Sequence, residues 1–142
     1  MANDNFPTDV SDVRAATLRL ARRIRQQRSV STMTDGQFAV LVALRTHGPH
    51  TLSALAERDS ITAPSMNRTV NALEELGYVT RVADAEDRRR VRIAITEAGR
   101  EVVADTVERR DTWLATVFER LTDDERATLH DAAQIILREV HR

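Results

Sequence analysis

Three short stretches of this sequence carry side chains able to do chemistry. In the first, Thr62-Ala63-Pro64-Ser65-Met66-Asn67-Arg68-Thr69-Val70-Asn71, the residues Ser65, Arg68 and Asn71 recur every third position. On a helix that spacing gathers them on one face with Ala72, while Met66, Val70 and Leu73 share the inward face. Arginine there can donate two hydrogen bonds to guanine, Asn67 or Asn71 can pair with adenine, and serine is adaptable. Thr62 and the helix N-terminus suit a phosphate. The second stretch, Asp87-Arg88-Arg89-Arg90, is cationic. Arginines of this kind suit a narrow minor groove, where negative potential is concentrated. Asp87 would repel phosphate, so its expected task is to orient an arginine through a charge-assisted bond. The third is His47-Gly48-Pro49-His50. Two imidazoles three residues apart can offer a metal one face, but the sequence supplies no convincing third ligand. It reads as a solvated loop, and neither metal nor cofactor is expected.

Other chemistries are poorly supplied. There is no cysteine, which removes disulfides, thiolate metal sites and thiol nucleophiles. No glycine-rich phosphate loop, nucleophile elbow or paired-histidine metalloprotease motif is present, so an enzyme is not expected. Aromatic residues are 4% of the chain, too few for base-stacking platforms of the single-strand type. The net charge of -1 argues against a general polyanion binder, yet it is an average over unlike segments. Between Val13 and Met33 there are six arginines and no acid; between Arg81 and Arg92, five arginines face three acids. From Glu101 onward, ten acids outnumber six arginines. Phosphate attraction is local while net charge is global, so this layout suits a sequence-specific DNA binder. No apolar run is long enough to span a bilayer and the N-terminus has no leader pattern, so a cytoplasmic protein is expected.

The elements that must position these groups follow from periodicity. Met1–Asp9 reads as a loose arm that Pro7 stops. Val10, Val13, Thr17, Leu20 and Ile24 then define an amphipathic helix, widened by Leu18 and Ala21. Thr34-Asp35-Gly36-Gln37 is a capping-box pattern opening a second helix that ends at Gly48-Pro49. Thr51 can cap a short third helix, and Thr62 a fourth that tolerates Pro64 in its first turn and stops at Gly77. The period then changes to two in Tyr78–Val82 and Val91–Ile95, a hairpin with a charged tip. Helical periodicity returns from Thr96, and Thr122-Asp123-Asp124-Glu125 opens a last helix.

A short helix, a connection, a second helix and then a hairpin is the order of a winged helix-turn-helix. The expected fold is mainly α with a small β-hairpin wing, flanked by long dimerisation helices. Its parts are an arm and helix over 1–33, the winged unit over 34–95, and C-terminal helices over 96–142, all one intertwined domain. A core of about 60 residues is marginal alone. The long outer helices would therefore bury Val10, Val13, Leu20, Val103, Val107, Leu114, Ile136, Leu137 and Val140 against each other and a second chain. A single monomeric bundle is the alternative.

The wing stretch Asp84-Ala85-Glu86-Asp87-Arg88-Arg89, followed by Ile93-Ala94-Ile95-Thr96-Glu97-Ala98-Gly99, resembles the wing signature D-P-x-D-R-R and L-T-x-x-G of the MarR family of bacterial winged-helix transcription regulators. Ala85 stands where the family usually has proline and Ile95 where it has leucine. Thr62–Arg68 and Leu73–Val79 are similar to the family's recognition helix and its exit. The likeness runs from about Val10 to Val140. It implies a homodimer on a pseudo-palindromic double-stranded operator, with Arg89 as the minor-groove side chain and Asp87 its partner. It also implies a repressor released by a small aromatic or phenolic ligand. For such an effector the sequence offers Arg14, Arg22 or Arg45 beside Leu18, Phe38 and Trp113. A winged-helix protein-interaction module without ligand control is the competing function.

Overall fold

The computed structural model of the protein describes residues 6–140. Its elements run α1 (Phe6–Gln26), α2 (Asp35–His47), α3 (Leu52–Arg58), α4 (Ala63–Glu75), β1 (Val79–Ala83), β2 (Val91–Ile95), α5 (Glu97–Phe118) and α6 (Asp123–Val140). This is the order that periodicity predicts. The first strand runs Val79–Ala83, one residue later than expected, and α1 begins at Phe6, so 6–9 are its first turn and not the end of an arm. Pro7 does not stop the helix, because a first-turn residue needs no intrahelical N–H and proline's φ is already helical. Residues 1–5 of the expected arm lie outside the described residues.

Helix ends are fixed by local chemistry. Thr34 and Gln37 form a reciprocal capping box, Thr34 Oγ1 accepting from Gln37 N and Gln37 Oε1 accepting from Thr34 N. Thr122 and Glu125 do the same at the start of α6. The end of α4 is a Schellman turn: Gly77 N donates to Glu74 O, Tyr78 N donates to Leu73 O, and Gly77 sits at φ 76°.

The core lies within the winged unit. Leu41 and Leu44 of α2, Leu55 of α3, Met66, Val70 and Leu73 of α4 and Ile93 of β2 are at most 1% exposed. Val103 belongs to this core too, at 1% exposure, which corrects its expected place on a dimer face. The reason is the path of α5. Its first half packs on α2 and buries Gly99, Val103 and Thr106 at helical spacing. The boundary expected at 96 thus cuts through one packed unit. Gly99 makes the close approach possible: a Cβ there would lie 2.3 Å from the Tyr78 carbonyl oxygen. The loop before α2 is stapled to the same stretch of α5. Ser29 N donates to Thr106 Oγ1, the two hydroxyls meet at 2.8 Å, and Ser29 Oγ donates to Val102 O.

The hairpin is antiparallel, with register Val79↔Ile95 to Ala83↔Val91. A third segment joins it that periodicity does not show. His50 N donates to Ile93 O and Ile93 N to His50 O, at 3.1 and 2.7 Å, tying the α2–α3 link to the free edge of β2. By contrast, α6 has no buried residue along its 18 positions. No helix among the described residues is long and apolar enough to cross a membrane.

Candidate nucleic-acid interface

The face of α4 opposite Met66, Val70 and Leu73 is polar and open. Ala63, Pro64, Arg68 and Asn71 are exposed; Ser65 and Asn67 are half-buried. The start of the helix is self-satisfied. Thr62 Oγ1 accepts from Ser65 N and donates to Ser65 Oγ, so its proton is turned inward to Ser65. With Ser65 N taken by that cap and Pro64 lacking an N–H, this end offers an anion little beyond the Ala63 N–H. Arg68 lies back along its own helix, its Nη2 3.4 Å from Ser65 Oγ. A single long hydrogen bond at an exposed site is easily exchanged for a better acceptor.

The wing is braced at two carboxylates. Asp84 is 6% exposed and binds Arg92 Nε through Oδ2 at 2.7 Å and Glu86 N through Oδ1 at 2.9 Å. The Glu86 amide first, and then the Arg92 guanidinium, hold its pKa below the ordinary carboxylate value, against the opposing effect of burial. Arg92 also donates to Pro49 O, fastening the base of the wing to the α2–α3 link. Nearer the tip, Asp87 Oδ1 accepts from both the backbone N and the Nε of Arg89. The Arg89 side chain is 92% exposed, and Arg88 and Arg90 are exposed beside it. A carboxylate amid cations here orders the loop that displays them.

Between wing and helix stands Arg81 of β1. Its Nε donates to Glu74 Oε2 at 3.1 Å, and its Nη2 donates to Asn71 Oδ1 at 2.7 Å and Asn67 Oδ1 at 3.3 Å. Helix face and arginine tip are therefore parts of one braced body.

The MarR family model matches residues 33–91, which run from the loop before α2 to the start of β2. An uncharacterized HTH-type transcriptional regulator of Mycobacterium leprae is 34% identical over 127 residues, 89% of each chain. The chain belongs to the MarR family. It is a winged helix-turn-helix transcriptional regulator, and the family is one of regulators rather than enzymes. A transcriptional regulator from Pseudomonas aeruginosa matches in structure with a TM-score of 0.87 at 25% identity, covering 99% of both chains. A MepR mutant from S. aureus, solved bound to an oligodeoxyribonucleotide, shares the fold at a TM-score of 0.71 and 21% identity, covering 92% of this chain and 96% of its own.

The effector residues the sequence offers share no hollow within the protomer. Arg22 lines one hollow with Arg19, Arg23 and Gln26, whereas Trp113 lines another, of about 550 Å³, with Asp105, Glu108 and Arg109. Phe38 faces a third, and its ring carries the Arg110 guanidinium 4.3 Å from the centroid. Arg14 and Arg45 are exposed on α1 and α2, far apart in sequence and sharing none of these three hollows. Helical spacing alone does not say which faces meet. Arg110 and Arg28, not singled out from sequence, are the cations beside Phe38. Burial, and then the nearby Arg28 and Arg25 charges, lower the Arg110 pKa, while Asp35 opposes the shift.

The residues expected at a partner divide as well. Val10, Val13, Leu20, Val107, Ile136, Leu137 and Val140 are exposed apolar side chains, and Leu114 is half-buried. Among the described residues no cluster of three or more metal-ligating side chains occurs. His47 and His50 stand with ring centroids 6.4 Å apart, and His50 Nδ1 meets Gly48 O at 2.7 Å. Sequence reasoning missed Arg81, Asp84 and Arg92. Asp84 was visible as the first residue of the wing signature and Arg92 as a member of a charged run, neither of them as a brace, and Arg81 as an outward residue of a strand.

Proposed function

We propose that the chain acts as a homodimeric repressor on a pseudo-palindromic DNA operator. In this reading α4 enters the major groove and Arg88, Arg89 and Arg90 reach the adjoining minor groove. The observation that carries it is the pairing of a polar α4 face with an arginine tip on one braced unit. The fold shared with a protein solved on DNA supports the docking geometry. Dimerisation is supported by α1 and α6, where Val10, Val13, Leu18, Leu129, Ile135 and Leu137 are all 46% exposed or more. So much uncovered aliphatic surface along two helices marks an interaction surface. A two-fold axis would set the two α4 helices about 34 Å apart, one turn of duplex.

Release by a small anionic aromatic is the regulatory half of this reading. The Arg110 guanidinium over the Phe38 ring supports it, with Arg28 in the same hollow paired to Asp35. That hollow holds only about 10 Å³ as it stands, so occupation requires its walls to part.

Selection of bound duplexes from a random pool tests the reading. The expected product is a two-fold-related site whose recognition weakens steeply with salt. Arg68→Ala then relaxes base preference by about 1–3 kcal/mol, while Arg90→Ala weakens all sequences alike and lowers the salt slope by about one. Uniform weakening by Arg68→Ala would remove α4 from the reading role. Tight binding of an acidic protein with no duplex selected would favour the protein-interaction module.

A further inference from the structure

We infer that Arg81 is a positioning residue that decides which base edges Asn67 and Asn71 can read; this rests on the DNA-reading role proposed for α4. The guanidinium spans from β1 to three acceptors on one helix: Glu74 Oε2, Asn71 Oδ1 and Asn67 Oδ1. Arginine has only donors, so the amide atom that meets it must be the carbonyl oxygen. That settles the orientation of both asparagines. Each turns Oδ1 toward Arg81 and leaves Nδ2, with its two donors, on the other side of the amide.

The consequence is chemical. Asparagine reads adenine bidentately, its Oδ1 accepting from N6–H and its Nδ2 donating to N7. With Oδ1 turned to the Arg81 side, adenine N6–H could reach only its second lone pair, from that same side, so the two-point contact is disfavoured. Donors remain, and they match O6 and N7 of guanine or O4 of thymine, whereas adenine offers only N7 beside the N6–H donor that would oppose them. Together with Arg68, α4 thus presents a face of donors. The positions under Asn67 and Asn71 in each half-site are expected to select guanine or thymine over adenine. An exposed ion pair of the Arg81–Glu74 kind contributes little to stability by itself. Its weight lies in fixing two amides at once.

The test is duplex selection with the purified full chain, comparing the unmodified protein with Arg81→Ala and Arg81→Lys. The lysine keeps the charge but lacks the planar fork that spans three acceptors. Both variants are expected to gain adenine by about tenfold at one or two positions per half-site, as Oδ1 becomes available. Arg81→Lys is expected to keep the salt slope of the unmodified protein. Thermal unfolding of each variant checks that both fold; should Arg81→Ala fail to, Arg81→Lys alone decides. An unchanged selected site with a salt slope lower by about one in Arg81→Ala would make Arg81 a phosphate contact and overturn the inference. An adenine preference under α4 in the unmodified protein would overturn it as well. If the unmodified protein selects no duplex, it is the DNA-reading role of α4 that fails first.

Discussion

The winged unit and the outer helices of this chain are built from similar residues and end in opposite states. In α4 every apolar residue of the inward stripe is at 0% exposure, whereas in α6 Ile135, Ile136 and Leu137 are 42–54% exposed. Both helices are amphipathic and both are capped at their start by a threonine. The difference is what lies opposite. The α4 stripe meets α2, α3 and the hairpin, which close around it; among the described residues, none of α6 is buried within the protomer. A helical apolar face therefore announces burial without saying in which molecule, and the proposed dimer is the natural place for the second case.

The sharpest way to break this contrast is to open the closed half. Leu41→Ala, at 0% exposure, is expected to lower unfolding free energy by about 2–5 kcal/mol at any protein concentration, measured by chemical denaturation. Gly99→Ala comes next, at about 1–3 kcal/mol, because the new Cβ meets backbone at Tyr78 that cannot swing aside. Calorimetry giving an unchanged Tm for Gly99→Ala would show that the α5 junction is looser than described. On the open half the effect is smaller and of another kind. Leu137 is 54% exposed, so covering the remainder contributes about 1 kcal/mol per protomer, and Leu137→Ala should flatten the rise of Tm with protein concentration. A parent protein whose Tm ignores concentration would leave α6 without its proposed partner.

The smallest effect is expected from acid. The folded pKa of Asp84 is depressed, so its contribution is present above the unfolded value of about 3.9 and lost as pH falls through the folded one. Between about pH 8 and pH 5 the wing should stay ordered, and amide exchange at Glu86 should quicken only below about pH 4. Asp84→Asn should remove that acid step; an identical step in the variant would assign it elsewhere.

Much of this was legible in the residues. Capping boxes at Thr34 and Thr122, the stop at Gly77 and the switch from period three-and-a-half to period two set every element in order. The start of α1 was misread, because proline marks a boundary without saying on which side of it the helix lies. Val103 was misassigned because a stripe on α5 serves two neighbours in succession, the winged core first and open surface at Val107 after it. The α4 face and the wing arginines could be singled out by type and adjacency. The bracing groups could not: Arg81 acts 10 residues from Asn71 and Arg92 reaches back 43 residues to Pro49. Such contacts depend on tertiary geometry that no local pattern encodes.

The junction at Gly77 and Gly99 has a mechanical consequence. Thr96 Oγ1 donates to Gly77 O and Thr96 N to Tyr78 O, so the C-terminal cap of α4 is bolted to the first turn of α5. The 22 residues of α5 make a lever about 33 Å long. Pivoting that lever by about 5° at its far end would carry the bolted tip through about 3 Å, given the length its helical rise sets. Two such levers hinged together would work as a caliper, whose span is adjusted at the handles and read at the tips.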